Sequence, residues 1–249
     1  NPVIRSSAFD SRASSDSERM TLDGAVNKTA IMLAILISTA AISWNFPSPF
    51  IVMLSYIGIF AAAIASVATF GFWMPFIGFI INPRPYLAPK TWLVFAFGEG
   101  FFIGLISLSF ETMFPGIVLE AVSLTFCVAA TLLFLYKSGI VKPSQNFVLM
   151  VCSAVFGIFL FYIGTLIYSL VTGVSPEIFS GSSNASIGLS LFIVAMAAFS
   201  LVLDFDIIEQ SAEYGSPKYM EYFGAMALVT TLIWLYIEIL RLLAKFRSR

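Results

Sequence analysis

Histidine is absent from this chain, cysteine occurs twice, and only 11% of its 249 residues are charged. Each shortage removes a class of function. Without histidine there is no imidazole for a metal ligand, a Ser-His-Asp triad or a histidine proton relay. The two cysteines, Cys127 and Cys152, lie inside apolar runs and read as buried free thiols, not as a disulfide framework. A net charge of −1 gives no electrostatic footing for nucleic acid. Soluble domains carry about 25% charged residues. Here 59% of residues are hydrophobic and the mean hydropathy is +0.94, which reads as a polytopic membrane protein. Residues 1–28 are polar and mixed in charge, without the apolar stretch that a secretory signal places behind a short basic start. They read as a flexible cytoplasmic tail. Thr21, in MTLDGAVNKT, is placed to cap a short helix leading into the membrane.

What is present is apolar sequence in lengths that suit a bilayer, since a spanning helix needs about 20 apolar residues. No charge occurs between Lys28 and Arg84, a run too long for one helix, and Asn45, Pro47, Ser48 and Pro49 divide it. The pattern predicts spans at about 29–46, 50–72, 91–110, 115–136, 147–172, 187–203 and 220–243, seven in all. The loop at 73–90 holds four prolines and two cations, and those at 137–146 and 175–186 are polar. Glu111 and Pro115 mark a tight turn where Glu111 is expected to be merely solvated. The segment after the sixth span, including its acids and AEYGSPK, reads as the last loop. The expected domains are the tail, 1–28, and a seven-helix transmembrane domain, 29–245.

Lysine and arginine set the orientation. With the N-terminus inside, the inner segments hold Arg5, Arg12, Arg19, Lys28, Arg84, Lys90, Lys137, Lys142 and Lys218, and the three outer loops hold none. Arg241, Lys245, Arg247 and Arg249 would then lie outside. Either the last span is re-entrant or it crosses against the rule, and its length favours crossing.

No cation falls well inside any span, but carboxylates do: Glu99 in the third, Glu120 in the fourth and Glu238 in the seventh. An ionised side chain at the bilayer centre costs about 2.5–3.5 kcal/mol on insertion scales, so such residues face the bundle interior and serve ions or protons. Glu99 falls near mid-membrane, Glu120 in the outer half and Glu238 near the outer end. With Asp204 and Asp206 at the inner end of the sixth span they form a ladder of acids suited to a cation or proton path. Each has a plainer reading. Glu238 stands three residues before Arg241, the spacing of a local ion pair. Glu99 lies in FGEGFFIG, where Gly100 and Gly104 make a small-residue packing face, and a protonated Glu99 could bond a neighbouring backbone. Glu209 and Glu213 suit a wet loop.

In LVLDFDIIEQ, residues 201–210, Asp204 and Asp206 would point roughly 200° apart on a continuing helix. One can face a shared core and the other must face water or the inner loops. A buried Asp204 with another acid nearby would sense protons.

MTLDGAVNKT, FGEGFFIGLIS, FPGIVLEAVSLTF, LYKSGIV, LDFDIIEQSAEYG and LIWLYIEILRLL together resemble the Bax inhibitor-1 (transmembrane BAX inhibitor motif) family, in its bacterial branch, over about residues 20–245. The resemblance implies seven helices with the seventh enclosed by the other six, a pH-dependent calcium leak, and a latch between an aspartate at the inner end of helix 6 and one in helix 7. Asp204 takes the helix 6 position, with Asp206 its close competitor. Around 225–231 this chain reads AMALVTT, with no acid. Either Asp206 substitutes, or Thr230 or Thr231 supplies a hydrogen bond, or the latch is absent.

Three functions are weighed. The first is a pH-sensitive leak channel or exchanger for cations, Ca²⁺ and H⁺, with Asp204 and Asp206 as sensor and gate and Glu99, Glu120 and Glu238 along the path. Ca²⁺ takes 6–8 oxygen ligands, and scattered carboxylates would hold it loosely, as conduction requires. The second is a non-transporting regulator that binds membrane proteases or stress-response partners through the N-tail and the 137–146 loop. An intramembrane enzyme is the least favoured, since two aspartates in one short segment do not make a facing protease pair. No cofactor is expected. The bilayer is the constant partner, and the bacterial inner membrane with a cytoplasmic N-terminus is the expected location.

Overall fold

The computed structural model describes residues 19–70 and 84–249. Most of the expected N-terminal tail and of the 73–90 loop lies outside the described residues. The seven long helices are α1 (Leu22–Asn45), α2 (Pro49–Phe70), α3 (Ala88–Met113), α4 (Ile117–Lys137), α5 (Gln145–Thr172), α6 (Asn184–Glu213) and α7 (Tyr219–Arg247). All seven are long and apolar enough to cross a membrane. A 3-10 turn, Pro85–Leu87, precedes α3, and one helical turn, Glu177–Ser180, lies between α5 and α6.

The helix ends follow local chemistry. Thr21 caps α1 directly by accepting the Gly24 N–H at 3.0 Å, so the expected short leading helix is the first turns of the span itself. Ser144 caps α5 and Ser183 caps α6 in the same way. At the α3–α4 turn Gly116 adopts a φ of 84°, which favours glycine. Glu111, expected to be only solvated, accepts the N–H groups of Gly116 at 2.6 Å and Val118 at 3.2 Å. It thereby satisfies donors that the start of α4 would otherwise leave open.

Several helices run past the spans that the hydropathy pattern predicts, α1 by seven residues at its start and α3 at both ends. α6 continues ten residues past 203, so LVLDFDIIEQ is helical and not loop. Nothing in 204–213 breaks a helix, and Ile208 is drawn into a buried cluster with Met20 and Ala25. α7 runs to Arg247, past the expected end at 243, and therefore carries Lys245 as well as Arg241 within it.

α7 is the central helix. It packs on α1, α3, α4 and α6, while α2 covers the outer side of α3 and α5 leans on α6. α2 reaches α7 through the Phe70–Phe223 ring contact at 4.9 Å, and α5 through Tyr162. The start of α7 lies beside the start of α1, where Thr21 N–H and Oγ1–H donate to Glu221 Oε1 at 3.0 and 3.1 Å. Its end lies beside the α3–α4 turn and the start of α6, where Arg247 donates to the Pro115 carbonyl at 2.6 Å and Arg249 pairs with Asn184. α7 thus traverses the bundle. We call its first end the near face and its last end the far face.

The near half of the core gathers Met32, Phe95, Met226 and Val229, and the far half Ile103, Ile117, Leu201, Leu235 and Leu240. The expected small-residue face is the α1–α3 contact: Gly100 lies against Thr39 and Leu36, and Gly104 against Ser43 and Ala40. Outward-facing Leu170, Val171 and Phe60 are more than 70% exposed on α5 and α2, as lipid-facing helices require. The same peripheral placement of α4 and α5 corrects the reading of the cysteines. Both are free, but Cys127 is exposed and Cys152 half-buried.

Glu221 is 2% exposed and sits where a β-carbon on Gly24 would stand. Gly24 is the third residue of α1, the position from which a capping box returns a Glu to the cap N–H. Here α7 supplies that carboxylate instead. Gly24→Ala would place its Cβ 2.5 Å from Glu221 Oε2 and onto Oε1. We expect it to release the start of α1, at about 1–2 kcal/mol, the range for a lost cap. Faster amide exchange confined to residues 20–26 would be the signature.

Candidate functional site

Because α6 is unbroken, its two aspartates diverge. Asp204 turns toward α7. Its Oδ2 is buried and accepts no hydrogen bond. The Thr231 hydroxyl is within hydrogen-bonding reach of the Asp204 carboxyl and also donates to the Ala227 carbonyl at 3.2 Å. Thr230 is directed back to the Met226 carbonyl at 2.7 Å.

Asp206 faces α4. Its Oδ1 accepts from the Tyr136 hydroxyl at 3.3 Å and its Oδ2 from Gln210 Nε2 at 2.6 Å. The same Tyr136 hydroxyl bonds Glu209 Oε2. A phenol has one proton to give, so two carboxylates share one donor. These groups line an open depression of about 620 Å³ on the near face, together with Glu213, Lys137 and Lys142. In sequence the acids of 204–213 have no basic neighbour, and the fold brings two lysines of the α4–α5 loop to the same hollow. Among the described residues no three Asp, Glu or Cys side chains converge as a resident metal would require.

Glu99 is eleven residues into α3, about 16 Å along the helix at ~1.5 Å per residue, and so at mid-depth. One turn to either side, Phe95 and Ile103 pack on α7. Side chains four apart share a face, so Glu99 belongs to the row that meets the central helix. It is half-buried and makes no hydrogen bond or ion pair among the described residues. Among the described residues the backbone bond considered for it is not formed.

The two remaining acids are at the far end. Glu238 is 1% exposed and accepts from the Tyr162 hydroxyl at 2.7 Å and from Arg241 Nη1 at 3.0 and 3.2 Å. The Arg241 guanidinium also stacks over the Phe179 ring, 4.6 Å from its centroid. The local ion pair expected from the spacing is therefore present, although buried. Glu120 is exposed in the first turn of α4 and pairs with Arg247 at 2.7 Å.

The fold thus divides the five acids. Asp204 and Asp206 face opposite sides of α6, Asp206 onto the near-face depression and Asp204 into the bundle at a depth comparable to that of Glu99, while Glu120 and Glu238 are held by cations at the far face. Sequence reasoning missed Tyr136, Tyr162 and Glu221 as partners, and missed Lys245, which is buried at 6% exposure. The only sequence signal for Tyr136 and Tyr162 was a tyrosine inside or at the end of an apolar span, which names no partner. Glu221 gave none, since an acid at a helix start reads as exposed.

No curated protein and no solved structure matches the chain. A family model described as Bax inhibitor 1 like matches residues 1–248. That match spans nearly the whole chain, and seven of its helices are long and apolar enough to cross a membrane: this chain is an integral membrane protein of the Bax inhibitor 1 like family.

Proposed function

We propose that the protein is a pH-sensitive path for cations, Ca²⁺ first among them, with its gate where Asp204 meets α7. The observation that carries this reading is the Asp204 carboxyl, set between two helices with a buried, unpartnered Oδ2 and no cation in contact among the described residues. With its proton, the group fits the apolar contact beside Thr231. Without it, a carboxylate would stand in low dielectric with no donor at Oδ2, a costly state. Loss of the proton therefore favours parting α6 from α7. Asp206, Glu209 and Glu213 would draw cations to the near-face depression, and Glu99 would be the next oxygen inward. The chain carries no reaction centre in this reading and binds cations as cargo.

Orientation follows from charge. Arg19, Lys28, Arg84, Lys90, Lys137, Lys142 and Lys218 flank the near face, which we place in the cytoplasm of a bacterial cell. The far face would then be outside.

The test is Ca²⁺ flux into proteoliposomes at pH 6 and pH 8. We expect wild-type flux to be greater at pH 8, and Asp204→Asn, which mimics the protonated form, to be low at both. An Asp204→Asn profile identical to wild type would remove the gate from this position. Absence of flux from folded wild-type protein would favour the regulatory reading, with the 137–146 loop as the first binding surface to probe.

A further inference from the structure

The last turns of α7 present Glu238, Arg241 and Lys245 at spacings of three and four residues, one stripe along the helix. This stripe faces α5, α6 and the turn between them. Glu238 and Arg241 neutralise each other there. Lys245 does not share that balance. Its Nζ donates to Ser190 Oγ at 2.7 Å and to the Ser186 carbonyl at 3.3 Å, both on α6, and no carboxylate lies within ion-pair distance among the described residues. Ser186 has meanwhile given its own hydroxyl to the Gly181 carbonyl at 2.7 Å. Lysines are almost never fully buried unless paired, and a buried ammonium held only by neutral oxygens is costly without a compensating role. It is also the arrangement by which a channel wall admits a cation: a hydroxyl and a carbonyl oxygen replace water around a positive charge.

We propose that Lys245 is a tethered cation that seals the far end of the path by occupying oxygens a passing cation would need. This rests on the cation-path reading above. The near face has an open depression, and toward the far face Lys245 ties α7 to α6 through Ser186 and Ser190; in this reading the two form gates in series, Asp204 toward one face and Lys245 toward the other. A positive charge fixed at the exit also repels a divalent cation approaching from within, and Arg241 adds to that field while Glu238 offsets it. Tyr162 and Phe179 hold Arg241 in place and position the stripe against α5.

The test uses full-length protein in liposomes at pH 8, where the Asp204 gate favours opening. Lys245→Met keeps the length of the side chain and removes the charge; we expect Ca²⁺ flux to rise about tenfold. Lys245→Arg should stay at the wild-type level, and Asp204→Asn/Lys245→Met should stay low, because the near gate still limits it. Should Lys245→Met fold poorly, Ser190→Ala keeps the charge, removes one anchoring oxygen and should raise flux in the same direction. Flux unchanged or reduced in both Lys245→Met and Ser190→Ala, beside measurable wild-type flux, overturns the seal and leaves the Asp204 gate standing. A rise that persists in the double variant removes Asp204 as gate and keeps the seal. No flux from folded wild type overturns both.

Discussion

Gly100→Ala should lower the stability of the protein by about 3 kcal/mol, the upper end of the cost of overpacking, and Gly104→Ala should do nearly the same. A β-carbon on Gly100 would lie 2.6 Å from the Leu36 carbonyl oxygen, 3.0 Å from the Leu36 Cα and onto Thr39 Oγ1. One on Gly104 would lie 2.9 Å from the Ala40 Cα and onto the Ala40 carbonyl oxygen and Ser43 Oγ. These obstacles are mostly the backbone of α1, which cannot turn aside as a flexible side chain would. α1 must retreat over two turns of contact, and it loses its packing on α3 together with part of its contact with α7. Between helices in lipid that packing is the main attraction, because burial from water no longer contributes. Gly157→Ala and Gly164→Ala are the controls. Neither β-carbon would meet an atom within 4 Å on α5, so helix propensity alone should act, with a gain of up to about 1 kcal/mol each. Unfolding of the four variants in mixed micelles decides the matter. Equal gains at 100 and 157 would show that helix propensity governs both positions and that the α1–α3 contact does not.

That contact was readable in FGEGFFIG because small residues four apart have few uses in a membrane helix other than close approach. The spans were readable for a similar reason, since length and hydropathy are one-dimensional properties. The failures share a cause as well. Hydropathy ends a span where charge accumulates, so the sixth helix was expected to stop at 203 and the seventh at 243. Both continue, because a helix is ended by broken backbone bonding and not by polarity. Gly215, at a φ of 65°, closes the α6–α7 turn, and no residue between 204 and 213 does so. The error mattered most for the site. Asp206 belongs to Tyr136 and α4, and only an unbroken α6 turns it there. Pairings between distant helices, such as Lys245 with Ser190 or Thr21 with Glu221, depend on the rotation of each helix about its axis. The low amphipathicity of spans that are apolar on every side leaves that rotation unspecified.

The second large effect is expected at the buried ion pair. Arg241→Leu should destabilise the protein by about 3–5 kcal/mol, the cost of removing one partner and stranding the other charge. Glu238 would keep only the Tyr162 hydroxyl, at 1% exposure. The reverse change should cost less. The Arg241 side chain is 27% exposed and lies over Phe179 and Tyr162, so without Glu238 it can bend its head toward the far surface while its stem stays packed. Glu238→Leu/Arg241→Leu should recover much of the Arg241→Leu loss, since replacing a buried pair with apolar groups is often near neutral. A double-mutant cycle over these variants isolates the coupling. The pair Glu120–Arg247 sits at the same face with the same residue types and a shorter contact, 2.7 Å, but its side chains are 52% and 31% exposed. Screening holds such pairs to about 0–1 kcal/mol, so the Glu120→Gln/Arg247→Gln cycle should give little coupling. If distance rather than burial governed these pairs, the shorter one would show the larger coupling energy, and the assignment of Glu238 and Arg241 as the pair that fixes α5 against the end of α7 would fall.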